Sequence, residues 1–107
     1  MLIASRTLIL RKPEGNIEVP VRIVAPEPEG ENWSCRFEVG WPDGTWNMAA
    51  GGVDAAQALH IALQLIGAQI YASDHHASGR LMWLEPGKGY GFPVPDSIRD
   101  LLIGDDK

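Results

Sequence analysis

One segment, from Asp54 to about His76, constrains this chain more than any other. It is the only long stretch whose apolar residues recur at helical spacing. Asp54 suits the N-cap, because its short carboxylate can accept from the free N–H groups of the first turn, and Gln57 three residues on approximates a capping box. Gly51 and Gly52 interrupt whatever precedes it. On an ideal wheel Leu59, Leu63, Ile66 and Ile70 form one stripe, flanked by Ala55 and Ala62, and this stripe is expected to lie on a sheet. Ala58, Ile61, Leu65, Ala68 and Ala72 form a second apolar set beside it. The two sets together span roughly 220°, about twice the apolar arc that a surface helix needs. Gln57, His60, Gln64, Tyr71 and Asp74 fill the remaining arc and are expected to face water.

One sheet face cannot cover so wide an arc, so Ile61, Leu65, Ala68 and Ala72 need a second occupant. Short elements usually pack on their neighbours, which makes the C-terminal segment folding back the simpler occupant. A second copy of the chain or a partner protein is the other, and the small side chains of Ala58, Ala68 and Ala72 would let another helix approach closely.

Composition bounds the rest. At 107 residues, 45% hydrophobic and 21% charged, the chain reads as one globular domain over 1–107, with enough apolar content for a core without staples. Its net charge of −5 opposes nucleic-acid binding, which needs a basic patch. The single cysteine, Cys35, allows no internal disulfide and fits a reducing, cytoplasmic setting. The opening MLIASRTLILRK does not read as a secretory signal, since Ser5, Arg6 and Thr7 break its apolar run. No window approaches the 18 or so apolar residues of a membrane span, so no membrane partner is expected.

Strand patterns precede the helix. Leu2 to Arg11 reads as a strand, and Pro13 to Asn16 as a turn. Ile17, Val19, Val21 and Ile23 alternate with polar residues, and Pro20 among them argues for an edge position or a bulge. Residues 25–32 read as a mobile acidic loop. Trp33, Cys35, Phe37 and Val39 then alternate in the clearest strand of the chain, and Pro42–Asp43–Gly44 turns into a short strand over Thr45 to Ala50. After the helix, Leu81 to Leu84 reads as a fifth strand. Asp96 is placed to cap a short C-terminal helix through Ile98, Leu101 and Leu102, with Gly104 as its stop and residues 104–107 as a frayed tail. The expected fold class is α+β, an antiparallel four- to five-stranded meander with one long helix packed on one face and a short C-terminal helix.

Candidate chemistry is thin. Asp74, His75 and His76 form the one metal-like cluster, but adjacent helical histidines diverge by about 100°, so no metal site is read here. Cys35 alternates with Trp33 and Phe37 and reads as a small core hydrophobe. Gly87–Gly91, GKGYG, lacks the Ser or Thr of a phosphate loop and is followed by Pro93 and Pro95, so it reads as a flexible turn. Trp41 and Trp46 flank a turn and could pair across a hairpin. No catalytic residue and no cofactor is assigned.

WSCRFEVG, GGVDAAQALHIALQLIG and GRLMWLEPGKGYGFP together carry a Trp-x-Cys strand, an Asp-x-x-Gln-Ala-Leu helix start and a Gly-Phe-Pro end. Over most of residues 33–93 the chain resembles a group of small bacterial proteins known only as a domain of unknown function. That resemblance implies a small cytoplasmic bacterial domain and carries over no catalytic residue. The leading reading is a non-enzymatic protein-interaction module, self-associating as a homodimer or bound to another bacterial protein through Ile61, Leu65, Ala68 and Ala72. The alternative is a small-molecule binding domain or enzyme with His60, Tyr71, Trp83 and Lys88 around the Gly87–Gly91 loop.

Overall fold

Period-two alternation becomes one-sided burial in the sheet. A computed structural model describes residues 1–107. Strands β1 (Leu2–Leu10), β2 (Ile17–Val24), β4 (Asn32–Trp41) and β5 (Gly44–Gly52) form an antiparallel meander. From them Leu8, Leu10, Val19, Val21, Ile23, Cys35, Phe37, Val39 and Ala50 enter one core. Two short strands bring the sheet to six, one more than the upper expected count. β3 (Glu27–Glu29) follows β2 along the same edge of β4, and β6 (Leu81–Met82) pairs with Ile9 and Leu10 of β1. The spatial order is therefore β6, β1, β2 followed by β3, β4, β5.

Two expectations change here. The segment at 25–32 contains β3, where Glu27 sits opposite Ser34 and its carboxylate meets Arg36 at 3.1 Å. Pro20 lies in a central strand, neither on an edge nor at a bulge. Its missing N–H does no harm, because the β2–β4 pairing starts one residue later at Val21. The ring sits against Gly40, where a Cβ would stand 2.9 Å from Pro20 Cγ.

Helix α1 (Ala55–Ala72) starts at the expected cap, with Gln57 N–H donating to Asp54 Oδ1 at 2.8 Å. It packs on β4 and β5 and runs back along them. Its first turn presses on the end of β5, where a Cβ on Gly52 would fall 2.4 Å from Ala58 N. Beyond its last turn His75, in the short helix α2 (Asp74–Ala77), reaches back to Asp43 in the β4–β5 turn at 3.1 Å. The buried stripe is Ala58, Ala62, Ile66 and Ile70, while Leu59 and Leu63 are half-buried. The sheet-facing direction is thus rotated by about 50° on an ideal wheel from the expected stripe. The stripe begins with the small Ala58 where α1 comes close to the end of β5 at Gly52, and carries the larger Ile66 and Ile70 farther along.

The other half of the sheet is roofed by chain without regular structure. Tyr90, Phe92 and Val94 are buried, and Phe92 and Pro93 run beside Ala4, Ser5 and Leu63. This segment crosses α1 at Gly67, where a Cβ would come within 1.9 Å of the Pro93 carbonyl oxygen. The C-terminal segment therefore does fold back on the helix, but on the flank of Leu63, Gly67 and Tyr71. Ile61, Leu65 and Ala68 stay half-buried and Ala72 exposed on the opposite flank. The expected last helix is a kinked 3-10 segment, Asp96–Leu101, with Ile98 at φ −124°. A second 3-10 turn spans Gly104–Asp106. No helix is long and apolar enough to cross a membrane.

Candidate functional site

Asp106 organises a hydrogen-bonded cluster with Tyr71 and the Gly89–Gly91 loop. Its Oδ2 accepts from Tyr90 N–H at 2.8 Å and from the Tyr71 hydroxyl, and its Oδ1 accepts from Gly91 N–H at 2.7 Å. Backbone makes this possible: Gly89 and Gly91 adopt φ of +92° and +77°, turning successive N–H groups toward one point. A Cβ on Gly89 would sit 2.5 Å from Asp106 Cγ, so the loop has room for the carboxylate only as glycine. The tail is pinned again by Asp105 N–H donating to Lys88 O at 2.8 Å and Ile103 N–H donating to Tyr71 Oη at 3.3 Å. Residues 104–107, expected to fray, instead include a docked turn.

Tyr71 corrects the helix reading as well. Helical spacing puts it in the water-facing row, yet the folded-back tail covers it and leaves it 6% exposed. Burial, and then the Asp106 carboxylate, raise its hydroxyl above the ordinary phenol range. Tyr90 is pushed up to about 12, by burial first and Asp106 second. His76 closes the cluster: its Nδ1 lies 2.5 Å from Tyr90 Oη, and the three rings meet edge to face at 4.8–5.5 Å. Burial lowers the His76 pKa.

Arg6 buttresses the loop from β1. Its Nη1 donates to the carbonyls of Tyr90 and Gly91, both at 3.1 Å, and its guanidinium lies 3.8 Å from the Trp83 ring centroid and 4.9 Å from Phe92. Trp83, Glu85, Lys88, Gly89 and Asp105 line an adjoining cleft of about 260 Å3.

Of the alternative ligand residues, Tyr71, Trp83 and Lys88 do come together around Asp106. His60 does not: it is exposed on α1, about 16 Å along the axis from Tyr71. His75 and His76 go to separate partners, His75 to Asp43 and a stack on Trp41 at 5.0 Å. The His75 hydrogen bond holds the Asp43 carboxyl below its usual range. Trp46 packs on Phe37 at 5.4 Å rather than on Trp41, because its cross-strand partner is Val39. Cys35 is fully buried, and burial raises its thiol pKa. Arg6, Tyr90 and Asp106 escaped the sequence reading. The paired glycines around Tyr90 were the one available signal.

A second feature is an open edge. β5 pairs only with β4, and its nine residues carry no charge and no proline. Beside it lies the α1 flank of Ile61, Leu65, Ala68 and Ala72, since the C-terminal segment occupies the other flank. Met48 on this strand is 46% exposed.

No curated protein and no solved structure matches the chain. A family model does match, over residues 4–94, which hold the sheet, α1 and the loop through Gly91 but not Asp106. The chain belongs to the domain of unknown function DUF6968.

Proposed function

We propose that this protein is a non-enzymatic module that pairs with a second copy of itself through the edge of β5 and the α1 flank above it. The free edge carries the reading. A long edge strand offers a row of unpaired N–H and C=O groups, and proteins that stay apart blunt such edges with lysine, proline or a bulge. β5 has none of these between Gly44 and Gly52. Two copies related by a twofold axis would align β5 antiparallel to β5, continuing the sheet and bringing the two α1 flanks together. Ile61, Leu65, Ala68 and Ala72 are the residues such an approach would cover. Each copy carries a net charge of −5, which repels at long range, but the edge itself adds nothing to that repulsion. The reading is of a cytoplasmic bacterial protein, supported by its single buried thiol and its family resemblance.

Light scattering at micromolar concentration tests it. The wild-type chain is expected at twice its own mass, and Ala49→Lys, at an exposed position on β5, is expected to halve it. A wild-type monomer at all concentrations would contradict the reading.

A further inference from the structure

The Gly89–Gly91 loop does not behave as a spacer. It presents two adjacent N–H groups to the two oxygens of one carboxylate, Tyr90 N–H to Oδ2 and Gly91 N–H to Oδ1, and Tyr71 adds a third donor to Oδ2. No cation touches the carboxylate directly, because Arg6 spends Nη1 on the carbonyls of Tyr90 and Gly91. That guanidinium fixes the loop while its positive field reaches the cradle. A fork of two N–H groups plus one hydroxyl matches a planar carboxylate better than a tetrahedral dianion, which would need more donors. The group now in the fork belongs to a short strap. Gly104 and Asp105 are exposed, and Asp106 is half-exposed. The cleft beside the fork is bounded partly by the strap itself, through Asp105 and Asp106, and partly by Trp83 and Lys88.

We propose that the Gly89–Gly91 loop and Tyr71 form a binding site for a small carboxylic acid, which Asp106 occupies in cis as a plug. Binding requires the strap at 103–106 to lift. The ligand's carboxylate then takes the two N–H groups and the Tyr71 hydroxyl, and its body lies in the cleft against Trp83. Because the plug is tethered, it competes at high effective concentration and lowers the apparent affinity of any free acid. The site is independent of pairing through β5: it sits at the β1 and β6 side of the molecule, and a monomer would carry it equally.

Benzoate serves as a flat carboxylate probe, with chloride as the control anion. Titrations of the full chain are followed by the amide resonances of Tyr90 and Gly91. Asp106→Ala and Asp106→Asn are each expected to bind benzoate saturably and at least tenfold more tightly than wild type. Adding Tyr71→Phe to Asp106→Ala is expected to weaken that binding severalfold. Equal affinity in wild type and both plug variants would overturn the proposal. So would folded plug variants that show no saturable shift. Loss of the fold in both variants would overturn it too, since Asp106 would then be a structural pin and not a plug.

Discussion

Tyr71 shows how much one hydroxyl can hold. It donates to the Asp106 carboxylate and accepts from Ile103 N–H, so removing it frees two partners at once. Tyr71→Phe is expected to lower stability by about 1–3 kcal/mol, the cost of a buried hydrogen bond to a charged group, as read from the urea midpoint. Glycine at 67 is a matter of space: Gly67→Ala would drive a methyl into the Pro93 carbonyl, and about 1–3 kcal/mol of overpacking cost is expected in the same measurement. His76 makes stability depend on pH in a definite direction. Its folded pKa lies below the unfolded value, so the unfolded chain takes up a proton first as pH falls through about 6.5. Stability is expected to drop below that pH, at no more than about 1.4 kcal/mol per unit from this group, and His76→Gln to flatten the acid limb. Tyr71 and Tyr90 have the opposite sense. Their folded pKa values are raised, so what they contribute is fully present below pH 10 and lost as pH rises beyond it.

Elements were legible where a local rule sufficed. Asp54 caps α1 as its spacing implied, and Asp54→Ala is expected to cost about 1 kcal/mol in thermal or urea unfolding. The four long strands follow from alternation in Ile17–Ile23 and Trp33–Val39 and from the turn residues between them. What local pattern could not resolve was which flank of α1 faces what. Hydrophobic periodicity ranks Leu59 and Leu63 above Ala58 and Ala62, but Ala58 and Ala62 are the buried ones. Tyr71 looked like a surface residue because its partner, Asp106, is 35 positions away in a tail with no pattern of its own. The site is half visible for the same reason: Tyr71, Trp83 and Lys88 are legible beside the glycine loop, while Arg6, Tyr90 and Asp106 are brought in by the sheet order and the strap. β3 and β6, at three and two residues, are shorter than any periodicity can reveal.

As a whole the molecule is a thin plate, 48 × 28 × 19 Å, with one layer over its sheet. Half of that layer is α1 and half is the segment from Tyr90 to Val94. The opposite sheet face is left to Arg22, Arg36, Glu38 and Asn47, which line a shallow trough of about 560 Å3 bridged by the Arg22–Glu38 ion pair at 3.0 Å. The two long sides of the plate differ. On the β1 side, β6 and the Gly91–Pro93 run attend the strand, while on the β5 side nothing follows. In the proposed pairing, the second copy takes the β5 side. Self-pairing there would bury the α1 flank that the chain's own tail leaves uncovered. Leu65→Glu, placed on that flank, is expected to weaken the pair without touching the Asp106 cluster.

The most direct measurement is the solution mass of the wild-type chain beside Ala49→Lys and Leu65→Glu across a micromolar dilution series. A wild-type dimer is expected, with both variants shifted to monomer while keeping the wild-type circular dichroism spectrum. A wild-type chain that scatters as a monomer throughout, or a dimer that both variants leave intact, would contradict the pairing.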